Sequence, residues 1–427
     1  MNALDHSHLI ATLWRMGYFV NTTIVGEQGE NIVIQKAGEE SDNPLIYNNA
    51  CICIDGKTCM GNVMLGSAAE DCTSAILRLV EESVPRLMSL EGELIPQAVV
   101  TIPQEISTRY EELINSDIKE CPCGKIVAAM DSLHKTDLFT RLVVSRLQRK
   151  CHVVERAYIE GHSNWCQAMY AMLFRAMGDH KNQEAFQLLA NKVPIHILSR
   201  ERGNGNNVEI MLVGASGLLK RYCSSSHTRQ IMEDFAYLAR KHSIVPMRGG
   251  EWVLKGINPN NHPLLRISQL AAYVSNTNFI FDKIIACRNA DDIQALLGSG
   301  EGKVSEYWQT HFTPNKRTSR RPKTLGHDKI NLLGINLAVP LIFAYGRYLQ
   351  NEDTKERALD LLEKLKVESN YITRHWTAHG VTLSSSFDSQ AVIELENSFC
   401  ANHNCWKCPI GRKEIKKAAN IRLIQKK

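Results

Sequence analysis

Past its first helical segment, the hydrophobic period of this chain changes near residue 105. Between residues 20 and 100 apolar residues come in short β-rich runs separated by turn residues. TTIVGEQGENIVIQKAG holds two such runs around a glycine-containing turn. PLIYNNACICIDGKTCMGNVMLG repeats the arrangement around Asp55-Gly56, a strong hairpin dipeptide. AILRLVEES and QAVVTIP add further short strands. Beyond residue 105 the spacing becomes three and four, as in ISTRYEELINSDI, NWCQAMYAMLFRAMG and TKERALDLLEKLKVES. One switch of period constrains the fold more than any composition figure. It predicts an α+β protein, with a small N-terminal mixed sheet domain over 1–104 and a large, mainly helical domain over 105–399. A short C-terminal cysteine knuckle and basic tail complete it over 400–427. No fixed-period repeat is visible, so a solenoid is not expected.

The sheet is preceded by an amphipathic helix carrying Leu9, Ile10, Leu13, Met16 and Phe19. That segment has neither the basic start nor the small-residue cleavage site of a signal peptide. The most apolar stretch, LLGINLAVPLIFAYG, reads as too short to span a bilayer and as broken by Pro340. The expectation is a cytoplasmic protein without a membrane partner. The 13 cysteines agree, since most lie singly in apolar contexts and read as reduced thiols.

The exception is CANHNCWKCPIGR, which gathers Cys400, Cys405 and Cys408 at the end of a helical segment. Thiolates are soft ligands and suit zinc or an iron–sulfur cluster. Such a site needs a fourth ligand. His403 lies inside the loop but is crowded against Cys405, whereas Cys121 and Cys123 lie far upstream in KECPCGKI. Cys123 is the favoured candidate, because it would tie the C-terminus back to the start of the helical part and restrict the unfolded chain. The plain alternative is three thiols and no metal.

The net charge of +5 is unevenly spread. Residues 400–427 hold eight Lys and Arg, among them Arg412, Lys413, Lys416 and Lys417, against Glu414 alone. A second cluster, NKRTSRRPK, places Lys316, Arg317, Arg320, Arg321 and Lys323 without an acid. Concentrated basic charge suits a polyanion, so DNA or RNA is the expected partner, and a solvated loop and tail are the alternative. A third group, His262, Arg266, Gln269 and His311, could line a polar pocket, although each alone reads better as a cap, loop anchor or core residue. No H-E-x-x-H, P-loop or nucleophile elbow is present.

NPNNHPLLRISQLA, EYWQTHF, LGHDKINLLGINLAVPLIFAYG and FDSQAVIELENSFCANHNCWKCPIG together resemble the uncharacterised bacterial family known as domain of unknown function 2851. The resemblance implies a Pro-Cys pair at Pro122 and Cys123, matched with Cys400, Cys405 and Cys408. It supplies no activity. The family's strand segments have the acidic layout of PD-(D/E)XK nucleases, whose carboxylates hold a divalent cation. Here those positions hold Leu45 or Ile46, then Met64, with Gly66 where a His would stand. Nearby Asp42, Glu70 and Asp71 are not placed as substitutes. The reading is therefore a nucleic-acid-associated protein with a four-cysteine site and a nuclease-like domain lacking catalytic carboxylates. The alternative is a scaffold or partner-binding protein whose metal site only stabilises the fold.

Overall fold

A computed structural model of the chain describes residues 7–425 other than 68–73, 90, 116–121, 205, 223–224, 278–279, 299–303 and 315. Cys121, Glu70 and Asp71 lie outside the described residues. The chain forms two compact units. The first comprises Met1–Asp131, Ala378–Val381 and Leu395–Lys427, and the second comprises Ser132–Thr377 and Thr382–Glu394.

The first unit is built on a mixed sheet. Strands β1 (Thr23–Val25), β2 (Asn31–Lys36), β3 (Glu39–Glu40), β4 (Ile46–Ile54), β5 (Lys57–Leu65), β6 (Ala75–Val80) and β7 (Gln97–Val99) lie in the order β1-β2-β4-β5-β6-β7, with β3 on β4. Strands β1, β2, β4 and β5 pair antiparallel, and β6 and β7 continue parallel to β5. The β4–β5 turn is the expected Asp55-Gly56 hairpin. Both residues have positive φ, 48° and 82°, as a turn that follows the strand twist requires.

The N-terminal helix Ser7–Arg15 buries Leu9, Ile10, Leu13 and Trp14 in the sheet core. Trp14 Nε1 donates to the Ala37 carbonyl at 2.9 Å, so its one polar atom is satisfied inside that core. The helix Gln104–Asn115 contributes Ile106, Tyr110 and Leu113 to the same core. Their spacing of four and three marks one helix face. The helical period thus begins inside the sheet-bearing unit, and the division between units falls after residue 131 rather than after 104. The C-terminal segment also belongs here, since Trp406 and Ile415 sit in this core.

Among the described residues the second unit is helical apart from one hairpin, β8 (His311–Thr313) with β9 (Lys316–Arg317). Its most apolar helix corrects one expectation. Residues His327–Tyr348 form a continuous helix of 22 residues, long and apolar enough by composition to cross a membrane. Its most apolar window is 78% buried in the protein, as in a core helix. Pro340 does not break it. The helix widens to a π-turn over Gly334–Ala338, with the Val339 N–H reaching back to the Gly334 carbonyl. That shift of register absorbs the carbonyl clash and the missing donor that a proline brings to a helix.

Candidate functional site

The turn that carries Cys400, Cys405 and Cys408 is assembled by a short run of local bonds. A single 3-10 turn, Cys400–Asn402, ends at His403, which has φ of 50°. The Asn404 N–H then returns to the Phe399 carbonyl, and Cys408 N–H bonds to the Asn404 carbonyl. Pro409 opens the C-terminal helix Pro409–Gln425, where its missing N–H costs nothing. The Cys408 sulfur sits at that helix start and accepts from the backbone N–H groups of Ile410 and Gly411. Gly411 is required by a close approach. A Cβ there would lie 2.1 Å from the Cys405 carbonyl oxygen, inside any real contact.

That turn is anchored in the first unit. The Cys405 thiol donates to the Leu113 carbonyl at 3.5 Å, at the end of the helix Gln104–Asn115. Trp406 stacks on His8 at 4.3 Å and 8°, and Lys407 lies 4.6 Å over the indole. Cys123, in the helix Pro122–Ala128, packs against the same core as Cys405. Burial is the largest effect raising the Cys400 thiol, followed by the charges of Cys408, Glu396, Cys123 and Cys405. All four cysteines therefore share one electrostatic neighbourhood, although the whole of the second unit lies between Cys123 and the others in sequence. Burial pushes Cys405 up to about 11 and also raises Cys408, where the two N–H donors oppose it.

Cys408 is buried and Cys123, Cys400 and Cys405 are half-buried, and the charges of the other three raise the Cys400 thiol; such thiols are an apt donor set for a soft cation, which would stabilise the thiolates at once. Among the described residues, no group of three or more His, Cys, Asp and Glu is arranged to hold a metal ion as it stands. His403 is exposed on the outer side of the turn.

The strand positions Ile46 and Met64 fall together on adjacent strands. Ile46 on β4 is the register partner of Met64 on β5, and Met64 is the register partner of Arg78 on β6. Leu45 and Met64 belong to the apolar core. Arg78 is buried and donates to the carbonyls of Gly66, Ser67 and Pro85. Gly66 has φ of 86°, and a Cβ there would overlap Ser7. The row thus reads apolar, apolar, cation. A buried guanidinium repels a divalent cation, so these residues are the opposite of a carboxylate metal cage.

The basic residues divide by unit and by use. Arg412 is spent internally, its Nε donating to the Trp406 carbonyl at 3.0 Å, and burial lowers its pKa. Lys417 bonds Glu414 at 2.7 Å, and Glu414 also accepts from Arg109 at 2.8 Å. Lys413 and Lys416 are exposed. In the second unit Lys316, Arg317 and Arg321 are exposed, and Arg320 pairs with Glu306 at 3.2 Å. Lys323 faces inward. Its Nζ donates to the His311 carbonyl at 2.7 Å and lies 4.0 Å over the Phe312 ring.

Arg266, Gln269 and His311 are joined by a chain of bonds through Lys323, whereas the His262 ring meets the Leu264 N–H and the Tyr222 hydroxyl. His262 caps the helix Pro263–Asn276, its Nδ1 accepting from the Leu264 N–H, and burial drives its pKa down to about 4. Arg266 donates to Asn261 and Gln269, and Gln269 donates to the Lys323 carbonyl at 2.7 Å. Lys323 closes the chain onto His311. Sequence reasoning missed Lys329, which bonds the Ala176 carbonyl and is pushed down to about 8 by burial and then by the Arg266 charge. It also missed the ion cluster of Arg146, Arg149, Lys150 and Glu394. Arg146 and Arg149 both meet Glu394, while Lys150 bonds Asn336 and Gln390. Only the i, i+3, i+4 spacing of three cations on one helix hinted at it.

A family model described as protein of unknown function (DUF2851) matches residues 7–371. The matched range contains Cys123 and ends before Cys400, Cys405 and Cys408. No curated protein and no solved structure matches the chain.

Proposed function

We propose that this chain, which belongs to the DUF2851 family, is a nucleic-acid-associated protein with a four-cysteine metal site and a non-catalytic, nuclease-like sheet. The observation that carries the reading is the shared neighbourhood of Cys123, Cys400, Cys405 and Cys408. Those four sulfurs would hold zinc or an iron–sulfur cluster, which would fix the C-terminal helix on the sheet-bearing unit. The row Ile46, Met64, Arg78 supports a sheet that has lost any hydrolytic metal site.

Nucleic-acid contact would be made through phosphates, by the residues not already used in internal bonds. These are Lys316, Arg317 and Arg321 on the hairpin side of the second unit, and Lys413 and Lys416 on the C-terminal helix. Affinity for a DNA or RNA duplex should therefore fall steeply with salt. Replacing Lys413 and Lys416 by Gln is expected to weaken binding alike for all sequences and to lower the salt slope by about 2. The measurement is fluorescence anisotropy across a salt series. Absence of binding at low salt, or an unchanged slope in the variant, would sink the nucleic-acid reading.

The internal use of Arg412 and Lys323 favours a second reading, a scaffold whose metal site serves the fold alone. That reading expects no nucleic-acid affinity and an unchanged metal content.

A further inference from the structure

The hairpin of β4 and β5 carries a sulfur pattern that the four-cysteine site does not use. Side chains alternate along a strand, so Ala50 and Ile52 point into the sheet core while Cys51 and Cys53 point to the opposite face. Both are half-buried free thiols. On β5 the register partner of Cys51 is Met60, and the partner of Cys53 is Thr58. Register partners in an antiparallel pair share a face, so Met60 stands beside the two thiols. Cys59, by contrast, partners the core residue Ile52 and packs against the core.

Hairpin geometry sets how close these sulfurs come. The Asp55-Gly56 turn has two residues, so the flanking pair Ile54 and Lys57 is of the hydrogen-bonded kind and the pairs alternate from there. Counting outward, Cys51 and Met60 form a non-hydrogen-bonded pair, whose side chains lie closer, with Cβ atoms about 4.5–5.5 Å apart. Cys53 is the diagonal neighbour of Met60, nearer the turn, and a diagonal is within reach of a long side chain. Met60 is 70% exposed and unbranched, so its thioether is free to swing over either sulfur.

Two thiols and one thioether are a soft donor set, of the kind that selects Cu(I). Structural zinc and iron–sulfur clusters each take four strong donors, so three sulfurs with one thioether among them fall short of either. The charge fits as well. Two thiolates around a monovalent cation leave one negative charge. Lys36 on β2 is the register partner of Cys51 on its other side, and its exposed ammonium stands on the same face to offset that charge.

We propose that Cys51, Cys53 and Met60 form a surface site for Cu(I), with two thiolates and one thioether as its ligands. Binding would release the two thiol protons to solvent. The Cys51 thiol donates to the Gln35 amide oxygen at 3.2 Å, and a thiol is a weak donor, so little is lost when copper takes the sulfur. The inference is independent of the four-cysteine centre and of nucleic-acid binding.

The test is anaerobic titration of the full chain with Cu(I) against the chelator bathocuproine disulfonate, whose colour reports the copper that the protein does not hold. A variant with both Cys51→Ser and Cys53→Ser should withhold one equivalent fewer than the wild type. Met60→Leu should weaken that equivalent by about tenfold or more, at least what loss of an outer-shell partner costs a metal site. Met60 is exposed, so Met60→Leu keeps the test open if the double variant fails to fold. The proposal is overturned if the wild type withholds no Cu(I). It is equally overturned if the folded double variant withholds as much as the wild type, since the copper then sits elsewhere, or if Met60→Leu binds with wild-type affinity.

Discussion

Glu394→Ala is expected to destabilise the helical unit by about 3–5 kcal/mol, the cost typical of breaking a buried ion pair from one side. The Glu394 side chain is 3% exposed and accepts from both Arg146 and Arg149. Arg149 is 57% exposed and can return to water, so the loss falls mainly on Arg146, whose side chain is 14% exposed. Arg146 would keep its bond to Gln390 at 2.7 Å and lose its carboxylate. Lys150 deepens the effect. Burial holds its pKa well below normal, and the Arg146 charge lowers it further. Without Glu394, three cations on the helix Ser132–Glu160 keep Glu368 as the one acid among the groups that act on Lys150. Equilibrium urea unfolding followed by far-UV circular dichroism measures the change. Glu394→Gln, which keeps the shape and an acceptor oxygen, should cost less than Glu394→Ala. A loss under about 1 kcal/mol for Glu394→Ala would place the pair among surface salt bridges and contradict this account.

Gly411→Ala should lower the stability of the sheet-bearing unit by about 1–3 kcal/mol, the range of overpacking changes. The sign is informative. In an unobstructed helix interior the same substitution stabilises by about 1 kcal/mol. Here the added methyl would stand 2.1 Å from the Cys405 carbonyl oxygen and 2.9 Å from its carbon. Backbone cannot swing aside as a side-chain tip does, so either the helix start or the Cys405–Cys408 loop must move. Both movements disturb the N–H groups of Ile410 and Gly411 that the Cys408 sulfur accepts. Thermal unfolding of the variant, with near-UV signals from Trp406 as the local probe, reads the effect. A stability equal to or above the wild type would mean that the knuckle is looser than this packing implies.

Much of the sheet-bearing unit was legible because its signals are local. The alternation of β4 and β5, the Asp55-Gly56 turn and the apolar face of the first helix each lie within about ten residues. The boundary between units was not legible, because the helix Gln104–Asn115 has a helical period wherever its apolar face is buried. The sheet core, rather than the period, decides which unit it joins. Pro340 misled in another way. A proline breaks a regular α-helix, and nothing in the local pattern announces the π-turn at Gly334–Ala338 that accommodates it.

The polar sites divide along the same line. His262 read better as a cap or anchor than as a pocket residue, and the structure uses it as a cap. Lys323 counted as a free cation in a basic run, yet its amine is bonded to the His311 carbonyl. The Arg146–Glu394 pair spans 248 residues, and Glu209 meets Ser305 across 96. Bonds of that range leave no trace in one sequence, since each partner alone reads as an ordinary surface charge.

The central claim is that Cys123, Cys400, Cys405 and Cys408 hold one metal centre, and metal analysis of the protein tests it most directly. The wild type and Cys123→Ser would be purified without oxygen, then examined by absorption spectroscopy and elemental analysis. The account predicts zinc, or iron with sulfide and visible colour, bound to the wild type and lost or sharply reduced in Cys123→Ser. A wild-type protein that carries neither metal, or a Cys123→Ser variant that keeps its full complement, would contradict it.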